Sequence, residues 1–184
     1  EKGKIRQKYL KSRNGLEAAK GVTVLVEKIV RRIVKQYESR NGKLDGYCIV
    51  FVGSSGRGEM CFQSDIDYMI VHAEKTDTKR IRQLQGTIED VMAKLGFNKM
   101  SMFNFGTPSF VLKSSGFSLI DRLALDDLRF VAGNKRLFDE FVKKRDDMFE
   151  KSEEKNPSWI DELMLYILFI YRRFKEFADF RQEE

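Results

Sequence analysis

The sequence has few of the residues that build metal centres, disulfide scaffolds or membrane spans. Its 184 residues include two cysteines, one histidine, two prolines and one tryptophan. Two cysteines and one histidine do not supply the four ligands of a structural zinc site, and two cysteines do not form a disulfide framework. The longest apolar run, Leu163–Tyr171, has nine residues, whereas a membrane-spanning helix needs about 20. We therefore expect a soluble protein of the reducing cytoplasm that does not cross a membrane.

Positive charge is concentrated near the N-terminus. Residues 1–45 hold 13 Lys and Arg and 5 Asp and Glu, a net of 13 minus 5, or +8, whereas the whole chain carries +6. Basic segments bind nucleic acid or acidic partners in some proteins and form the solvated face of a helix in others. Within Glu17–Ser39, apolar residues recur every three or four positions, and the basic residues fall mostly on the opposite face. We interpret residues 1–45 as a basic N-terminal helical segment, with nucleic-acid binding as an alternative.

The rest of the pattern alternates short apolar runs with longer amphipathic ones. A short apolar run between turn residues predicts a strand, and apolar spacing of three and four residues predicts a helix. Expected strands are residues 47–52, 68–71 and 98–105, with 109–113 as a further short strand or a loop; expected helices are residues 76–95, 118–131, 135–149 and 157–180, with a charged linker at 150–155. The pattern predicts an α/β fold with a small mixed β-sheet flanked by helices and an α-helical C-terminal part. We assign the core to residues 46–135 and the helical extension to residues 136–184.

Residues 51–71 give the strongest indication of function. A strand leads into the glycine-rich turn Gly53–Gly56, and Asp65 and Asp67 follow at the opening of the next strand. In a strand, residues two apart project from the same face, so the two carboxylates would repel each other unless a cation lies between them. Glycines let the backbone approach a ligand, and the N–H groups of such a turn bind phosphate. Carboxylates beside phosphate suit Mg²⁺ or Mn²⁺, which favours phosphoryl or nucleotidyl transfer.

The order of these residues forms a recognisable pattern, in which G-S-x-G-R-G-E is followed after a short spacer by S-D-x-D. The pattern is matched at Gly53, Ser54, Gly56, Arg57, Glu59, Ser64, Asp65 and Asp67. A second segment, residues 127–134, reads D-L-R-F-V-A-G-N and is followed by Leu137 and Phe138. Together the two segments resemble the nucleotidyltransferase superfamily, and most of all the branch that contains the PII-protein uridylyltransferases and the DUF294 nucleotidyltransferases. The resemblance covers roughly residues 47–140.

The resemblance implies a nucleotidyltransferase fold and an enzyme that transfers a nucleoside monophosphate from an NTP to an acceptor hydroxyl. The acceptor would be a protein or a small molecule. In this interpretation Gly53 and Ser54 hold the β- and γ-phosphates. Asp65 and Asp67 bind the metal ion and are the expected catalytic residues.

Two further residues are expected near the nucleotide, each with two roles left open. Arg57 either contacts phosphate or pairs with Glu59 or another acid to lock the turn. Ser64 either contacts the nucleotide or orients the aspartate segment.

A third carboxylate, which many members of the superfamily carry on a later strand, has no counterpart in the expected strand 98–105. Asp121, Asp126 and Asp127 are candidate substitutes, but they fall on an expected helix. If none of them reaches the site, the alternative is a catalytically inactive module that senses nucleotide.

The apolar run Leu163–Tyr171 would cover every side of a helix. An uncovered helix of this kind presents an apolar patch, and such patches mark interfaces. We expect the helix to be covered either within the chain or by a second copy, which would make the protein a homodimer through its C-terminal helix.

Overall fold

The computed structural model describes residues 1–97, 99–115 and 124–155 and the single positions 164, 167 and 170. The chain divides into two compact units, Glu1–Arg145 and Asp146–Glu184. The elements in chain order are α1 (Lys2–Ser12), α2 (Gly15–Asn41), β1 (Tyr47–Phe51), α3 (Gly53–Arg57), β2 (Ile66–His72), α4 (Thr78–Lys94), β3 (Met100–Gly106), α5 (Pro108–Ser115), β4 (Arg129–Gly133) and α6 (Lys135–Lys155). Within the described ranges, none of the helices combines the length and the apolar character that a membrane crossing requires.

The sheet of the first unit has four strands in the order β3-β2-β1-β4. Strand β1 pairs antiparallel with both β2 and β4, whereas β2 and β3 are parallel. Every residue of β1 is buried, as expected for an apolar strand in the middle of a sheet with both faces covered. The predicted α/β class, a small mixed sheet flanked by helices, is confirmed.

Helix α2 supplies a large part of the core. It begins at Gly15, where the side chain of Asn14 caps it by accepting from the Glu17 N–H at 3.1 Å. One face is apolar and buried, and full burial of a single valine side chain contributes roughly 1.5–3 kcal/mol. The buried apolar residues of this face are Ala18, Val22, Leu25, Val26, Val30, Ile33 and Val34. The predicted helix is confirmed, and its basic residues lie on the solvated face of a core helix.

Helix α4 also follows the prediction, with one correction at its end. Asp77 caps it by accepting from the Arg80 N–H at 3.1 Å, and Gly96 follows it with a φ of +70°. The predicted helix extended to residue 95, but Leu95 lies beyond its end and is 52% exposed. The helix ends at Lys94, so Leu95 leaves the buried face of the helix.

The segment between β3 and α6 differs from the prediction. Residues 109–113 were expected to form a strand or a loop, but they lie in helix α5, which begins at Pro108; proline is favoured in the first turn of a helix. Residues 118–131 were expected to form a helix, yet Arg129–Gly133 is strand β4. Phe130 and Val131 have side chains that favour strands. Residues 116–123 lie outside the described residues.

The charged linker expected at residues 150–155 is also wrong, because helix α6 continues to Lys155. Lys and Glu are good helix formers, and a charged run of them does not by itself end a helix. Most of the apolar run 163–171 lies outside the described residues; Met164, Ile167 and Ile170 are helical. Self-association through this run and the three-part division of the chain remain predictions.

Candidate active site

The glycine-rich turn forms a short helix, α3, directly after the central strand β1. The Gly56 N–H donates to the Val52 carbonyl at 3.1 Å, and the Glu59 N–H donates to the Ser54 carbonyl at 2.9 Å. The helix ends at Arg57 and is followed by Gly58, whose φ of +82° is readily adopted by glycine. The predicted turn is therefore one turn of helix that reverses the chain at the end of the strand.

Hydrogen bonds join this short helix to the second of the two aspartates. The buried hydroxyl of Ser55 accepts from the Asp67 N–H at 3.1 Å. The Val52 N–H donates to the Asp67 carbonyl at 3.2 Å. A Cβ on Gly53, whose φ is +55°, would lie 3.9 Å from Oδ2 of Asp67. The structure therefore brings the glycine backbone and a carboxylate to the same place.

Asp65 and Asp67 flank the first residue of strand β2. Ile66, between them, is 1% exposed, and its N–H donates to the Lys99 carbonyl at 3.1 Å. Because side chains alternate along an extended segment, the burial of Ile66 leaves both aspartates on the opposite side. Asp65 is exposed and Asp67 is partly buried.

The donor set at this place fits a hard divalent cation such as Mg²⁺. Mg²⁺ is commonly held by one or two carboxylates, with substrate phosphates and water completing its six ligands. Asp65 and Asp67 supply two carboxylates, and Gly53 leaves the adjoining space free of a side chain. In the part of the chain that the structure describes, no group of three or more His, Cys, Asp or Glu residues is arranged to hold a metal.

Ser64 closes a tight turn immediately before the aspartates. Its hydroxyl accepts from the Cys61 N–H at 3.0 Å, and its own N–H donates to the Cys61 carbonyl at 3.3 Å. Of the two roles left open for Ser64, these contacts match the one that orients the aspartate segment. Direct contact with nucleotide stays a prediction.

Arg57 pairs with two carboxylates. Its Nε donates to Oε2 of Glu59 at 3.0 Å, and its Nη1 donates to Oδ2 of Asp127. Burial lowers the pKa of the Arg57 guanidinium, but the hydrogen bonds to Asp127 and Glu59 outweigh this effect and raise it above its ordinary value. Of the two roles left open for Arg57, the structure shows the contacts of the one that locks the turn.

Of the candidate third acids, the two that the structure describes, Asp126 and Asp127, form no metal-binding group with the aspartate pair. Asp127 was expected on a helix, but it lies in a bend before β4 and binds Arg57. Asp126 is exposed, and its carbonyl accepts from Arg145 at 3.3 Å. Asp121 lies outside the described residues.

The sequence did not indicate a role for Arg129, which contacts the turn at Gly56. Its Nε donates to the Gly56 carbonyl at 3.0 Å, and its Nη1 lies 3.9 Å from Oε2 of Glu27 on helix α2. The signal was present in the D-x-R pattern of residues 127–129. Because that segment was predicted to be helical, its contact with the turn was not expected.

Comparison with known proteins places the chain among the nucleotidyltransferases. Residues 5–102, more than half of the chain, match the family model described as "Putative nucleotidyltransferase DUF294". The chain therefore belongs to the DUF294 family, and the resemblance predicted from its motifs is confirmed.

Among curated proteins, the chain is similar to the bifunctional uridylyltransferase/uridylyl-removing enzymes of Legionella pneumophila strains Corby and Lens. Each is 28% identical over 98 residues, which are 53% of this chain and 11% of the relative. The chain thus spans only a small part of the length of the curated relatives it matches.

Two solved structures also align with the chain. One is a toxin–antitoxin crystal structure with AMP-PNP, with a TM-score of 0.44 and 18% identity over 72% of this chain and 97% of that one. The other is a tri-AMPylated HEPN toxin in complex with an MNT antitoxin from Shewanella oneidensis, with a TM-score of 0.42 and 17% identity over 77% and 98% of the two chains. Both TM-scores are low, and neither likeness bears on function.

Proposed function

We propose that this chain catalyses the Mg²⁺-dependent transfer of a nucleoside monophosphate from an NTP to an acceptor hydroxyl. The observation that carries this proposal is the placement of the Gly53 backbone against the Asp67 carboxylate. A triphosphate needs backbone or side-chain donors for its oxygens and carboxylates for its metal ion. Both kinds of group lie within one compact stretch of the chain.

The residues of the short helix and of the aspartate segment have separate roles in this reaction. Gly53 and Ser54 hold the β- and γ-phosphates through N–H groups and the Ser54 hydroxyl, since Val52 at the helix start supplies no side-chain cap. Asp65 and Asp67 hold Mg²⁺, or Mn²⁺ in its place. When bound, the ion supplies a Lewis acid that neutralises phosphate charge in the transition state.

The acceptor is proposed to be a hydroxyl on a protein or a small molecule. The curated relatives carry the name uridylyltransferase, which makes UTP the first nucleotide to test. They share only part of their length with this chain, so other NTPs belong in the same assay. The reaction forms a phosphate ester on the acceptor and releases pyrophosphate, so pyrophosphate release measures turnover whatever the acceptor is.

The proposal is tested by incubating the wild type and Asp65→Asn/Asp67→Asn with each labelled NTP, Mg²⁺ and extracts that supply acceptors. We expect label transfer and pyrophosphate release from the wild type, with loss of both in the double variant. Its free energy of unfolding should be equal or higher in the absence of metal, because a like-charge pair is removed. Undiminished Mg²⁺-dependent transfer by the double variant would refute the aspartate assignment.

The same assay separates the alternative functions. Tight Mg·NTP binding without turnover, under every acceptor condition, would favour a nucleotide-sensing module. Salt-dependent binding to arbitrary RNA or DNA, without any NTP binding, would favour a nucleic-acid-binding protein that uses the basic face of residues 1–45.

A further inference from the structure

The side of the glycine-rich turn formed by Gly56 and Arg57 contacts the segment Asp127–Arg129. The Arg129 Nε donates to the Gly56 carbonyl at 3.0 Å, and a Cβ on Gly56 would overlap the backbone carbonyl oxygen of Asp127. The Asp127 carboxylate accepts from the Arg57 guanidinium. The short helix α3 is thus in direct contact, through both backbone and side chains, with a segment some 70 residues further along the chain.

The segment Asp127–Arg129 is itself attached to the sheet. Arg129 is the first residue of β4 and pairs with Phe51, the last residue of β1. Strand β1 leads directly into the short helix. The start of α3 is therefore attached to β1, and its residues Gly56 and Arg57 are attached to the segment that leads into β4. These attachments leave α3 little freedom to move relative to the two strands.

Gly53 and Ser55 of α3 lie next to the aspartate segment. Ser55 accepts from the Asp67 N–H, and the Gly53 backbone lies beside the Asp67 carboxylate. A shift of α3 away from β4 would change the separation between the Gly53 backbone and Asp67. In the proposed reaction this separation must match the distance between a phosphate and its metal ion.

We propose that Arg57 and Asp127 are positioning residues, whose ion pair sets the distance between the Gly53 backbone and the Asp67 carboxylate without contact between Arg57 and phosphate. This role rests on the proposed function. A charge-assisted Arg–carboxylate hydrogen bond is among the stronger polar contacts of proteins. The two side chains are 24% and 26% exposed, so solvent screens the pair only in part.

The test is the binding of a non-hydrolysable UTP analogue, measured by calorimetry at a series of Mg²⁺ concentrations. Asp127→Asn and Arg57→Gln are each expected to raise the Kd about tenfold and to raise the Mg²⁺ concentration needed for half-maximal binding. The double variant should bind about as weakly as either single variant, because residues that act as a pair are not additive. Asp127→Glu, which keeps a carboxylate, should recover part of the affinity.

A matched control is Asp139→Asn, which breaks the exposed ion pair between Lys135 and Asp139. This control should leave the Kd and the Mg²⁺ requirement unchanged. Circular dichroism and urea unfolding establish that each variant is folded. If Asp127→Asn does not fold, Arg57→Lys replaces it, because lysine keeps the charge but loses the planar two-pronged geometry.

The outcomes are distinct. Loss of affinity in Arg57→Gln with wild-type affinity in Asp127→Asn would overturn the proposal and assign Arg57 to the phosphate. Wild-type affinity and Mg²⁺ requirement in every folded variant would also overturn it. A wild type that binds the analogue at no Mg²⁺ concentration would overturn the proposed function and the positioning role together.

Discussion

The two ends of the five-residue helix α3 differ in what surrounds them. Gly53 and Ser54, at its start, are half-buried, whereas Ser55 and Gly56, which follow, are buried. A Cβ on Gly53 would meet only a carboxylate oxygen at 3.9 Å, but one on Gly56 would overlap backbone. The two glycines of one motif therefore differ: Gly53 borders open space beside the Asp67 carboxylate, where we propose that phosphate binds, and Gly56 permits close packing of the protein against itself.

The same division applies to two neighbouring serines, Ser54 at a motif position and Ser55 at the variable position that follows it. The Ser55 hydroxyl accepts from the Asp67 N–H and belongs to the internal structure. Ser54 is at the half-exposed start, where we propose that it binds phosphate. The motif match does not reveal the internal role of Ser55, because the pattern leaves that position open.

Gly56→Ala tests the buried end and should have the largest effect. The added methyl group meets the backbone of Asp127, and overpacking of this kind costs about 1–3 kcal/mol or more of unfolding free energy. Gly86→Ala is the control, because Gly86 lies in helix α4 with nothing within 4 Å of its Cβ position. It should gain up to about 1 kcal/mol. Urea unfolding measures both, and equal values for the two variants would contradict the packing role of Gly56.

Ser55→Ala and Ser54→Ala compare neighbouring hydroxyls. Ser55→Ala leaves the Asp67 N–H without its acceptor and should cost about 1–3 kcal/mol of unfolding free energy. Ser54→Ala should change stability by less than about 0.5 kcal/mol but weaken Mg·NTP binding. Thermal unfolding with and without nucleotide reports both effects. The comparison fails if Ser54→Ala destabilises the apo protein as much as Ser55→Ala does.

Gly53→Val tests the half-buried end, where we propose that phosphate binds. The branched side chain would fill the space beside the Asp67 carboxylate, and the φ of +55° adds strain. We expect a loss of NTP affinity of at least about tenfold, far beyond any loss in Gly86→Val. Calorimetry on both variants at matched Mg²⁺ measures it. Unchanged NTP affinity in Gly53→Val would remove the phosphate role of this residue.

The two cysteines give the smallest test, which compares the sheet interior with the loop after the turn. Burial raises the pKa of the Cys48 thiol to about 12, whereas Cys61 is exposed. At pH 8, iodoacetamide should label one thiol per native chain, since only a thiolate reacts readily. Mass spectrometry should find the label at Cys61, with Cys48 reacting only in urea. Rapid labelling of native Cys48 would show that β1 is not buried at the centre of the sheet.

The first part of the fold could be predicted because its signals are local and strong. Helix α2 has a long apolar stripe, and α4 has both a capping aspartate and a terminating glycine. Strand β1 is a short apolar run between turn residues. Each of these patterns belongs to one kind of element, so the sequence was sufficient.

The later part depended on partners that are remote in sequence. Strand β4 has only five residues, and its pairing with β1 decides its conformation. The contacts of Arg57 with Asp127 and of Arg129 with Gly56 depend on that same pairing. The motif residues of the candidate site could be named from the sequence, but the division between half-buried and buried positions required the fold.

The most direct test of the central claim is a crystal structure of the wild type with a non-hydrolysable NTP analogue and Mg²⁺. We predict that the β- and γ-phosphates lie at Gly53 and Ser54 and that the ion lies on Asp65 and Asp67, with the Arg57–Asp127 pair intact. A triphosphate bound elsewhere, such as along the basic face of α2, would contradict the assignment of the site. An ion that touches neither aspartate would contradict it equally.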